Sequence, residues 1–264
     1  MIPKRQKVTL SDLDLQQHLR DPSKKQLYVT RLFDLIAPGY DSFTRVFSFG
    51  MDRRWKELLI REAIVRARDH RIALDLACGT GDIALALATE VPRLNVLGLD
   101  VSREMLQVAK ARRPDDQASR VALVMGDIVS LPVASNSVDM VTMGYALRNV
   151  RDLRSGLREL RRVLKPRGWI LNLDFYLPEN RLWRRLFLGY MRYAGLAAGW
   201  LMHREPEAYG YITPSIEHYV TSRGFEQELR THGFGELRTY SFLGGGVCIH
   251  VAQKVDLGAA SSAA

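Results

Sequence analysis

The stretch LDLACGTGD, residues 74–82, decides the fold of this chain. Its first half is a short apolar run typical of a buried strand, and from Asp82 to Ala88 the pattern is helical. The glycines at 79 and 81 let a ligand approach the backbone closely, and the start of a helix presents free amide groups. A strand, a glycine-rich turn and a helix in this order predict a site for a nucleoside-containing cofactor.

Strands and helices continue to alternate on the C-terminal side of this turn. The first strand is predicted at 72–77, and four further apolar runs follow at 95–99, 121–125, 138–143 and 169–173. A helix is predicted from Asp152 to Leu164, where Lys165-Pro166-Arg167-Gly168 ends it. Runs at 236–242 and 247–253 flank three glycines and predict a hairpin. We therefore expect an α/β fold with a doubly wound, mostly parallel seven-stranded sheet that closes with an antiparallel C-terminal hairpin.

The chain is predicted to form a single domain over residues 24–254. Residues 24–68 have helical spacing that breaks at Pro38-Gly39, which indicates an N-terminal helical cap. Residues 176–232 separate the fifth strand from the hairpin, and we expect this insertion to form a lid on the substrate side. Residues 1–23 are expected to be flexible, and the Ala/Ser-rich residues 255–264 to be disordered.

The composition is that of a folded protein with a basic surface. Of the 264 residues, 47% are hydrophobic and 25% are charged, and the net charge is +9. This charge fits binding to nucleic acid, binding to an anionic membrane surface, or a basic face that only aids solubility. The arginines gather between Arg148 and Arg204, which favours an anionic partner on one side of the molecule.

Cysteine content and the N-terminal sequence both bear on the cellular compartment. Cys78 and Cys248 fit neither a disulfide framework nor the spacing of a metal site. The first fifteen residues lack the apolar core of a signal peptide. We therefore expect a cytoplasmic protein that holds no metal.

The lid insertion contains an apolar stretch at 186–202, which is shorter than the ~20 residues needed to span a bilayer and carries Arg192. On a helical wheel, the basic residues share one stripe, which consists of Arg181, Arg185, Arg192 and His203. The pattern fits a core-packing helix with a solvated stripe, and it equally fits an interfacial helix that accepts an apolar ligand.

Three aspartates stand at the ends of three successive predicted strands. Gly79, Gly81 and Ala84 satisfy a dinucleotide fingerprint, so the turn alone does not distinguish a dinucleotide from S-adenosylmethionine. Asp75 before the turn can orient a positively charged amino-acid group, whereas a pyrophosphate would gain nothing from it. Asp100 can accept the ribose hydroxyls, and Asp127 the adenine amino group. Together they outline a site for a cationic nucleoside, which favours S-adenosylmethionine.

The fourth strand ends in a loop that this fold places beside the transferred methyl group. Tyr145, Arg148 and Asn149 are therefore the candidate catalytic residues. Arg148 stays protonated and cannot act as a free base. It can stabilise a developing phenolate or orient a water molecule, and the alternative is an ion pair with a structural carboxylate.

Several other motifs resemble those of one family. They are APGYD at 37–41, SFG at 48–50, RWK at 54–56, LRNV at 147–150, RVLKP at 162–166 and YGYITPSI at 209–216. Over roughly Tyr28 to Lys254 the chain is similar to the ubiquinone/menaquinone biosynthesis C-methyltransferases. The resemblance implies a Rossmann-like, S-adenosylmethionine-dependent enzyme that methylates a ring carbon of a polyprenylated benzoquinol or naphthoquinol.

The resemblance also assigns residues to the site. Positions carried over from the family as cofactor contacts are Thr80, Asp100, Gly126 and Asp127, with Gly144 nearby. The cofactor set is completed by Asp75, Cys78, Gly79, Gly81 and Val101. The predicted substrate contacts are Tyr40, Tyr211 and His218. Three positions depart from the family, which often has Gly at 78, Ser at 144 and Gly at 146.

The sequence also admits functions outside quinone methylation. Basic charge suggests RNA methylation, but the chain has no Asn/Asp-Pro-Pro-aromatic motif and no RNA-binding appendage, so we expect no nucleic acid partner. Methylation of another small molecule at oxygen or carbon is a second alternative, and a non-catalytic quinone- or lipid-binding protein is a third. The predicted partners are a prenylated quinol and, transiently, the inner face of a membrane. A homodimer is compatible with the sequence.

Overall fold

The computed structural model describes residues 22–67, 70–203 and 207–255. The seven strands in these ranges are β1 Ile72–Leu76, β2 Asn95–Asp100, β3 Val121–Met125, β4 Val138–Gly144, β5 Leu164–Phe175, β6 Phe234–Phe242 and β7 Val247–Lys254. The α-helices in the same ranges are α1 Pro22–Ile36, α2 Tyr40–Phe47, α3 Met51–Arg66, α4 Asp82–Glu90, α5 Arg103–Arg112, α6 Leu153–Val163, α7 Arg181–His203, α8 Glu207–Gly210, α9 Ile212–Glu217 and α10 Ser222–Thr231. Most of the two terminal segments expected to be flexible or disordered, residues 1–21 and 256–264, lies outside the described residues.

All seven strands belong to one sheet, in the order β3-β2-β1-β4-β5-β7-β6. The first five strands run parallel to one another, and β7 pairs antiparallel with both β5 and β6. The predicted mostly parallel sheet with an antiparallel C-terminal hairpin is confirmed. The chain leaves β1 toward β2 on one side and later returns to β4 on the other, so a crevice opens where the strand order reverses. Ligands of doubly wound sheets bind in such a crevice.

The central strands of the sheet are buried on both faces because helices cover each side. Neighbouring residues show this: Met140 packs in the core on one face and Val141 in the core on the other, and both are fully buried. Strands buried on both faces read as continuous apolar runs, as these do. On one side, the N-terminal helices α1 to α3 pack over the core together with α4 and α5. The expected N-terminal helices are thus present.

Strand β5 begins five residues earlier than its apolar run suggests. Val138 pairs with Leu164 and Met140 pairs with Trp169, so four residues of β5 lie opposite the single residue Asp139 and the strand bulges out between these pairs. The segment Lys165-Pro166-Arg167-Gly168 ends α6, as predicted, but the bulge keeps it within the strand. Lys165 anchors it through an ion pair of 2.7 Å with Asp139 of β4.

Helix α7 is the main element of the insertion, and it exposes one apolar face. Phe187 and Met191 are buried against the core, whereas Leu182, Tyr193 and Trp200 are 69%, 73% and 63% exposed. In the described part of the chain, no helix combines the length and the apolar character that crossing a membrane requires. Of the predicted basic stripe, Arg181, Arg185 and Arg192 are exposed, and the side chain of His203 lies outside the described residues.

Candidate active site

A cavity lies at the C-terminal ends of β1 to β4, beside the turn that leaves β1. The chain reverses sharply here because Ala77 and Gly79 have left-handed φ values of 49° and 53°. Nine of the ten predicted cofactor residues line the cavity: Asp75, Cys78, Gly79, Thr80, Asp100, Val101, Gly126, Asp127 and Gly144. A Cβ atom at Gly79 would meet no other atom within 4 Å, so the turn leaves open space against its backbone.

Gly81, the tenth predicted cofactor residue, lies outside the lining of this cavity. It precedes α4 with a left-handed φ of 87°. A Cβ atom there would lie 3.2 Å from the Cβ of Ala109 on α5. This glycine therefore permits the close approach of α4 to α5 and bears on the cavity only through the shape of the turn.

Asp75 lies beneath the turn and is 1% exposed. Its carboxylate accepts hydrogen bonds from Thr142 Oγ1 at 2.8 Å and from the backbone amide of Ala84 at 3.1 Å. Burial raises the pKa of Asp75 to about 7, although these hydrogen bonds act in the opposite direction. A nearby cation would favour the ionised carboxylate. The position therefore fits the positively charged end of S-adenosylmethionine.

Asp100 ends β2 and shapes the turn. One carboxylate oxygen accepts the Gly79 amide and the other accepts the Ser102 amide, both at 2.8 Å. Burial raises the pKa of Asp100 to about 6. Each carboxylate oxygen has a second lone pair. The carboxylate can therefore accept two ribose hydroxyls while it still holds the turn.

Asp127 follows β3 at the far end of the same cavity. Its Oδ1 accepts the Val129 amide at 3.0 Å, and its Oδ2 lies 3.4 Å from a guanidinium nitrogen of Arg151. Together with Asp75, Asp82 and Asp100 it makes the lining acidic. These four carboxylates disfavour a pyrophosphate and fit the cationic nucleoside S-adenosylmethionine.

A polar network fastens the cap to the cofactor turn. Asp41 on α2 accepts a hydrogen bond from Thr80 Oγ1 at 2.7 Å and pairs with Arg112 on α5 at 2.6 Å. Arg112 also pairs with Asp82 at 2.7 Å and donates to the Thr80 carbonyl at 3.2 Å. One arginine thus binds the cap, the turn and the first residue of α4.

The network continues into the cap helix α3. Lys56 bridges Asp82 at 3.0 Å and Asp52 at 2.9 Å. Burial opposes its charge, yet the two aspartates raise the pKa of Lys56 above its ordinary value. The phenol of Tyr145 donates to Asp52 at 2.7 Å. The sequence reasoning assigned no role to Asp52 or Lys56, although their spacing of four on a helix could have indicated an ion pair.

A second cavity adjoins the first. Phe33, Tyr40 and Tyr145 line both cavities. The walls of the second cavity are largely aromatic, and Phe43 stacks on Tyr209 with 3.4 Å between their ring centroids. Its polar lining includes Asp52, Arg148 and Tyr211. Flat walls with polar groups on one part of the surface fit an aromatic ring that carries oxygen atoms.

Arg148 is held in the second cavity by a buried carboxylate. Its guanidinium pairs with Asp174 at 2.6 Å and donates to the Tyr145 carbonyl at 2.9 Å. Burial lowers the pKa of Arg148, but Asp174 outweighs this effect and raises it. The guanidinium carbon also lies 5.2 Å from the Phe175 ring centroid. The structural ion pair that was the alternative for Arg148 therefore exists, and the side chain still reaches the cavity.

Three polar atoms around these cavities have no hydrogen-bond partner among the described residues: Arg148 Nε, Asn149 Oδ1 and the Tyr211 hydroxyl. The Asn149 amide nitrogen donates to the Tyr145 carbonyl at 3.1 Å, which directs its oxygen elsewhere. Asn149 lines the first cavity, and the other two residues line the second. Buried polar atoms rarely stay unpaired, so these are candidate contacts for bound molecules.

His218, predicted as a substrate contact, is not brought into either cavity. It follows α9, is exposed, and its Nδ1 lies 2.8 Å from the Pro214 carbonyl. Tyr40 and Tyr211, the other two predicted substrate contacts, do line the second cavity. Among the described residues, no group of three or more His, Cys, Asp and Glu is arranged to hold a metal ion.

Known proteins resemble this chain over most of its length. A profile of the ubiE/COQ5 methyltransferase family matches residues 21–254. The Ubiquinone/menaquinone biosynthesis C-methyltransferase UbiE of Syntrophotalea carbinolica is 37% identical over 83% of this chain and 91% of that protein. The demethylmenaquinone methyltransferase of Oceanobacillus iheyensis is 31% identical over 89% of this chain and 98% of that protein.

A solved structure shares the fold. It is a SAM-dependent methyltransferase from Thermotoga maritima, described as a possible histamine N-methyltransferase. It superposes with a TM-score of 0.60 at 16% identity, over 85% of this chain and 99% of that one. At this identity the likeness concerns the fold, and it confirms the predicted Rossmann-like sheet.

Proposed function

Because the chain belongs to the ubiE/COQ5 methyltransferase family and is an S-adenosylmethionine-dependent methyltransferase, we propose that it methylates a ring carbon of a prenylated quinol. The observation that supports this most directly is the shared wall of the two cavities, formed by Phe33, Tyr40 and Tyr145. A cofactor in the acidic cavity and a ring in the aromatic cavity are then neighbours. Holding two reactants in line supplies about 7–11 kcal/mol of a reaction barrier.

S-adenosylmethionine, when bound, supplies an electrophilic methyl group to an electron-rich ring carbon. In the first cavity Asp75, Asp100 and Asp127 bind its amino-acid group, ribose and adenine, and Asn149 Oδ1 accepts a further hydrogen bond from it. Cys78, Gly79, Thr80, Val101, Gly126 and Gly144 form the walls. The neutral, small residues leave the recognition to the aspartates.

The second cavity supplies the groups that activate the ring. Arg148 Nε and the Tyr211 hydroxyl donate to the ring oxygens, and the fixed guanidinium charge stabilises the phenolate that develops there. A ring hydroxyl proton passes to Asp52 through the Tyr145 phenol, which already donates to that carboxylate. Removal of this proton makes the ring carbon more nucleophilic. After methyl transfer, the methylated carbon loses its own hydrogen as a proton, so that the ring becomes aromatic again. Tyr40, at the junction of both cavities, packs against the ring.

Methyl-labelled S-adenosylmethionine tests this assignment directly. The protein is incubated with a demethylated benzoquinol, a demethylated naphthoquinol, a catechol and transfer RNA, and the labelled position is found by mass spectrometry and NMR. We expect label on a quinol ring carbon. Arg148→Gln should abolish it, while Arg158→Gln, at an exposed position on α6, should keep it. Label only on RNA, on the catechol or on a quinol oxygen would refute the proposal.

Contact with the inner face of a membrane follows from the substrate, because a polyprenyl quinol resides in the bilayer. The exposed apolar face of α7 includes Tyr193 and Trp200. Phe49, which is 76% exposed, stacks on Tyr190 of the same helix and extends this apolar surface. The exposed arginines of α7 flank this face and can bind anionic lipid. Apolar side chains bordered by basic ones are typical of peripheral membrane helices.

Co-sedimentation with liposomes tests the membrane contact. Binding should increase with the fraction of anionic lipid, decrease with salt, and weaken in Tyr193→Asp/Trp200→Ser. Val65→Asp, a change at an exposed apolar position of α3, is the matched control and should bind normally. Binding that ignores lipid charge and both variants would contradict the contact. A concentration-dependent dimer that the α7 variant dissociates would instead assign this face to a second copy.

A further inference from the structure

A third cavity lies between the α2–α3 turn and helix α7, with a volume of about 340 Å³. We call it the α7 groove. Its outer end is formed by Phe49, Leu186 and Tyr190, which are partly exposed, and its inner end by Trp55, Phe175 and Met191, which are buried. The groove therefore leads from the surface into the interior.

The α7 groove adjoins the second cavity of the site. Phe47, Ser48 and Phe175 line both. The second cavity in turn shares Tyr145 with the cofactor cavity. The three cavities therefore lie in a row, and the α7 groove lies between the ring cavity and the surface.

The lining of the α7 groove offers nothing to a polar ligand. No charged side chain contributes to it. The Tyr190 hydroxyl donates to the Phe47 carbonyl and the Trp183 indole to the Leu243 carbonyl, both at 2.7 Å. The Ser48 hydroxyl accepts the Asp52 amide at 3.1 Å. Since each of these polar side chains already has a partner within the protein, the groove suits a ligand portion made only of carbon and hydrogen.

We propose that the α7 groove binds the first isoprene units of the substrate's tail. This inference rests on the proposed function, because the tail is attached to the ring that occupies the second cavity. The tail passes Phe175 and Ser48, runs beneath Phe187 and Tyr190, and leaves the protein beside Phe49 and Leu186. It emerges on the apolar face proposed to contact the membrane, so the rest of the tail stays in the bilayer during methyl transfer.

Kinetics with quinols of increasing tail length test the groove in membrane-free solution. Each methylene that leaves water gains about fourfold in binding. We expect kcat/KM to rise at least about tenfold with the first isoprene unit, mostly through KM, and to level off once the groove is full. Equal kcat/KM for tailless and tailed quinols would overturn the proposal.

Leu186→Asp places a carboxylate at the groove wall on a side chain that is 59% exposed, so the fold tolerates it. It should raise KM about tenfold or more for tailed quinols and leave tailless quinols unaffected. Leu182→Asp introduces the same charge one turn earlier, outside the groove, and should behave as wild type in this membrane-free assay, which does not use the membrane-facing side of α7. The conservative change Leu186→Met should leave tail binding intact. Equal effects of the two Asp variants on KM would overturn the proposal that the groove binds the tail.

A binding measurement separates this inference from the proposed function. Trp55 and Trp183 line the groove, so their fluorescence should change when geranylgeraniol, a prenyl alcohol without a quinol ring, is added. The change should be lost in Leu186→Asp and kept in Leu182→Asp. Geranylgeraniol binding without quinol methylation would uphold the groove and refute the proposed function. Quinol methylation without geranylgeraniol binding would support the proposed function and refute the proposal that the groove binds the tail.

Discussion

The phenol of Tyr145 donates a 2.7 Å hydrogen bond to the carboxylate of Asp52, although the two residues are 93 positions apart. Tyr145 stands directly after β4 with a left-handed φ of 60°, which an aromatic residue rarely adopts. Asp52 belongs to the cap, in the first turn of α3. The contact therefore joins the loop after β4 to the cap at the point where the two cavities meet.

If this pair carries the hydroxyl proton, Tyr145→Phe and Asp52→Asn should each lower kcat about 10²-fold. The double variant should be no slower than either single variant, because both changes interrupt one path. Steady-state kinetics with a tailless quinol gives the double-mutant cycle, and calorimetry should show little change in cofactor affinity. Additive losses in kcat would indicate independent roles.

The Arg148–Asp174 ion pair is predicted to serve stability and catalysis in separable ways. Asp174 is fully buried. Arg148→Met leaves that carboxylate without its partner and should lower the unfolding free energy by about 3–5 kcal/mol. The double variant Arg148→Met/Asp174→Leu should regain most of the stability and none of the turnover. Urea unfolding and methyl-transfer assays measure the two effects, and recovery of turnover in the double variant would exclude a catalytic role.

Cofactor affinity should depend on pH through the buried carboxylates. Burial raises the pKa of Asp75 to about 7 and that of Asp100 to about 6 in the free protein. A bound cation and ribose hydroxyls favour the ionised forms, so binding releases protons. Affinity should therefore increase as pH rises from about 5 to 7.5.

Calorimetry in buffers of different ionisation enthalpy measures the released protons. The Asp75→Asn variant should bind the cofactor more weakly. It should also release fewer protons on binding, because the carboxyl group that titrates near pH 7 is absent. Asp116→Asn changes an exposed carboxyl that lines none of the described cavities and serves as the control. Affinity independent of pH in the unmodified protein would contradict the assignment of these carboxylates.

The lining of the first cavity could be predicted from sequence because the fold brings consecutive strand ends together. Asp75 lies near the end of β1, Asp100 ends β2, and Asp127 follows β3. The carboxyl ends of these neighbouring parallel strands share one edge of the sheet. No knowledge of side-chain contacts was needed for this. Gly81 could not be assigned in this way. It belongs to the same turn but lies against α5 and not in the cavity, and the sequence does not show which side of the turn a glycine faces.

The residues that the sequence did not reveal act across long separations. Arg112 meets Asp41, 71 positions away, and Asp174 meets Arg148 because β5 continues one residue past Asp174, beyond the predicted strand end. The packing of the cap and the length of β5 decide these contacts, and neither has a local pattern. His218 shows the converse, since a residue beside the tyrosine-rich motif points to solvent.

The network around Arg112 predicts how the cofactor enters and leaves. Asp41 holds α2 to the cofactor turn through Thr80 and Arg112, and each ion pair of Arg112 is partly exposed. Exposed pairs are weak and sensitive to salt, so they can open without loss of the fold. Asp41→Ala should raise the association and dissociation rates of S-adenosylhomocysteine about three- to tenfold, with little change in Kd. Stopped-flow fluorescence measures both rates. Added salt should increase both rates more in the unmodified protein than in the variant. Unchanged rates, or a loss of affinity through association alone, would show that the cap opens elsewhere.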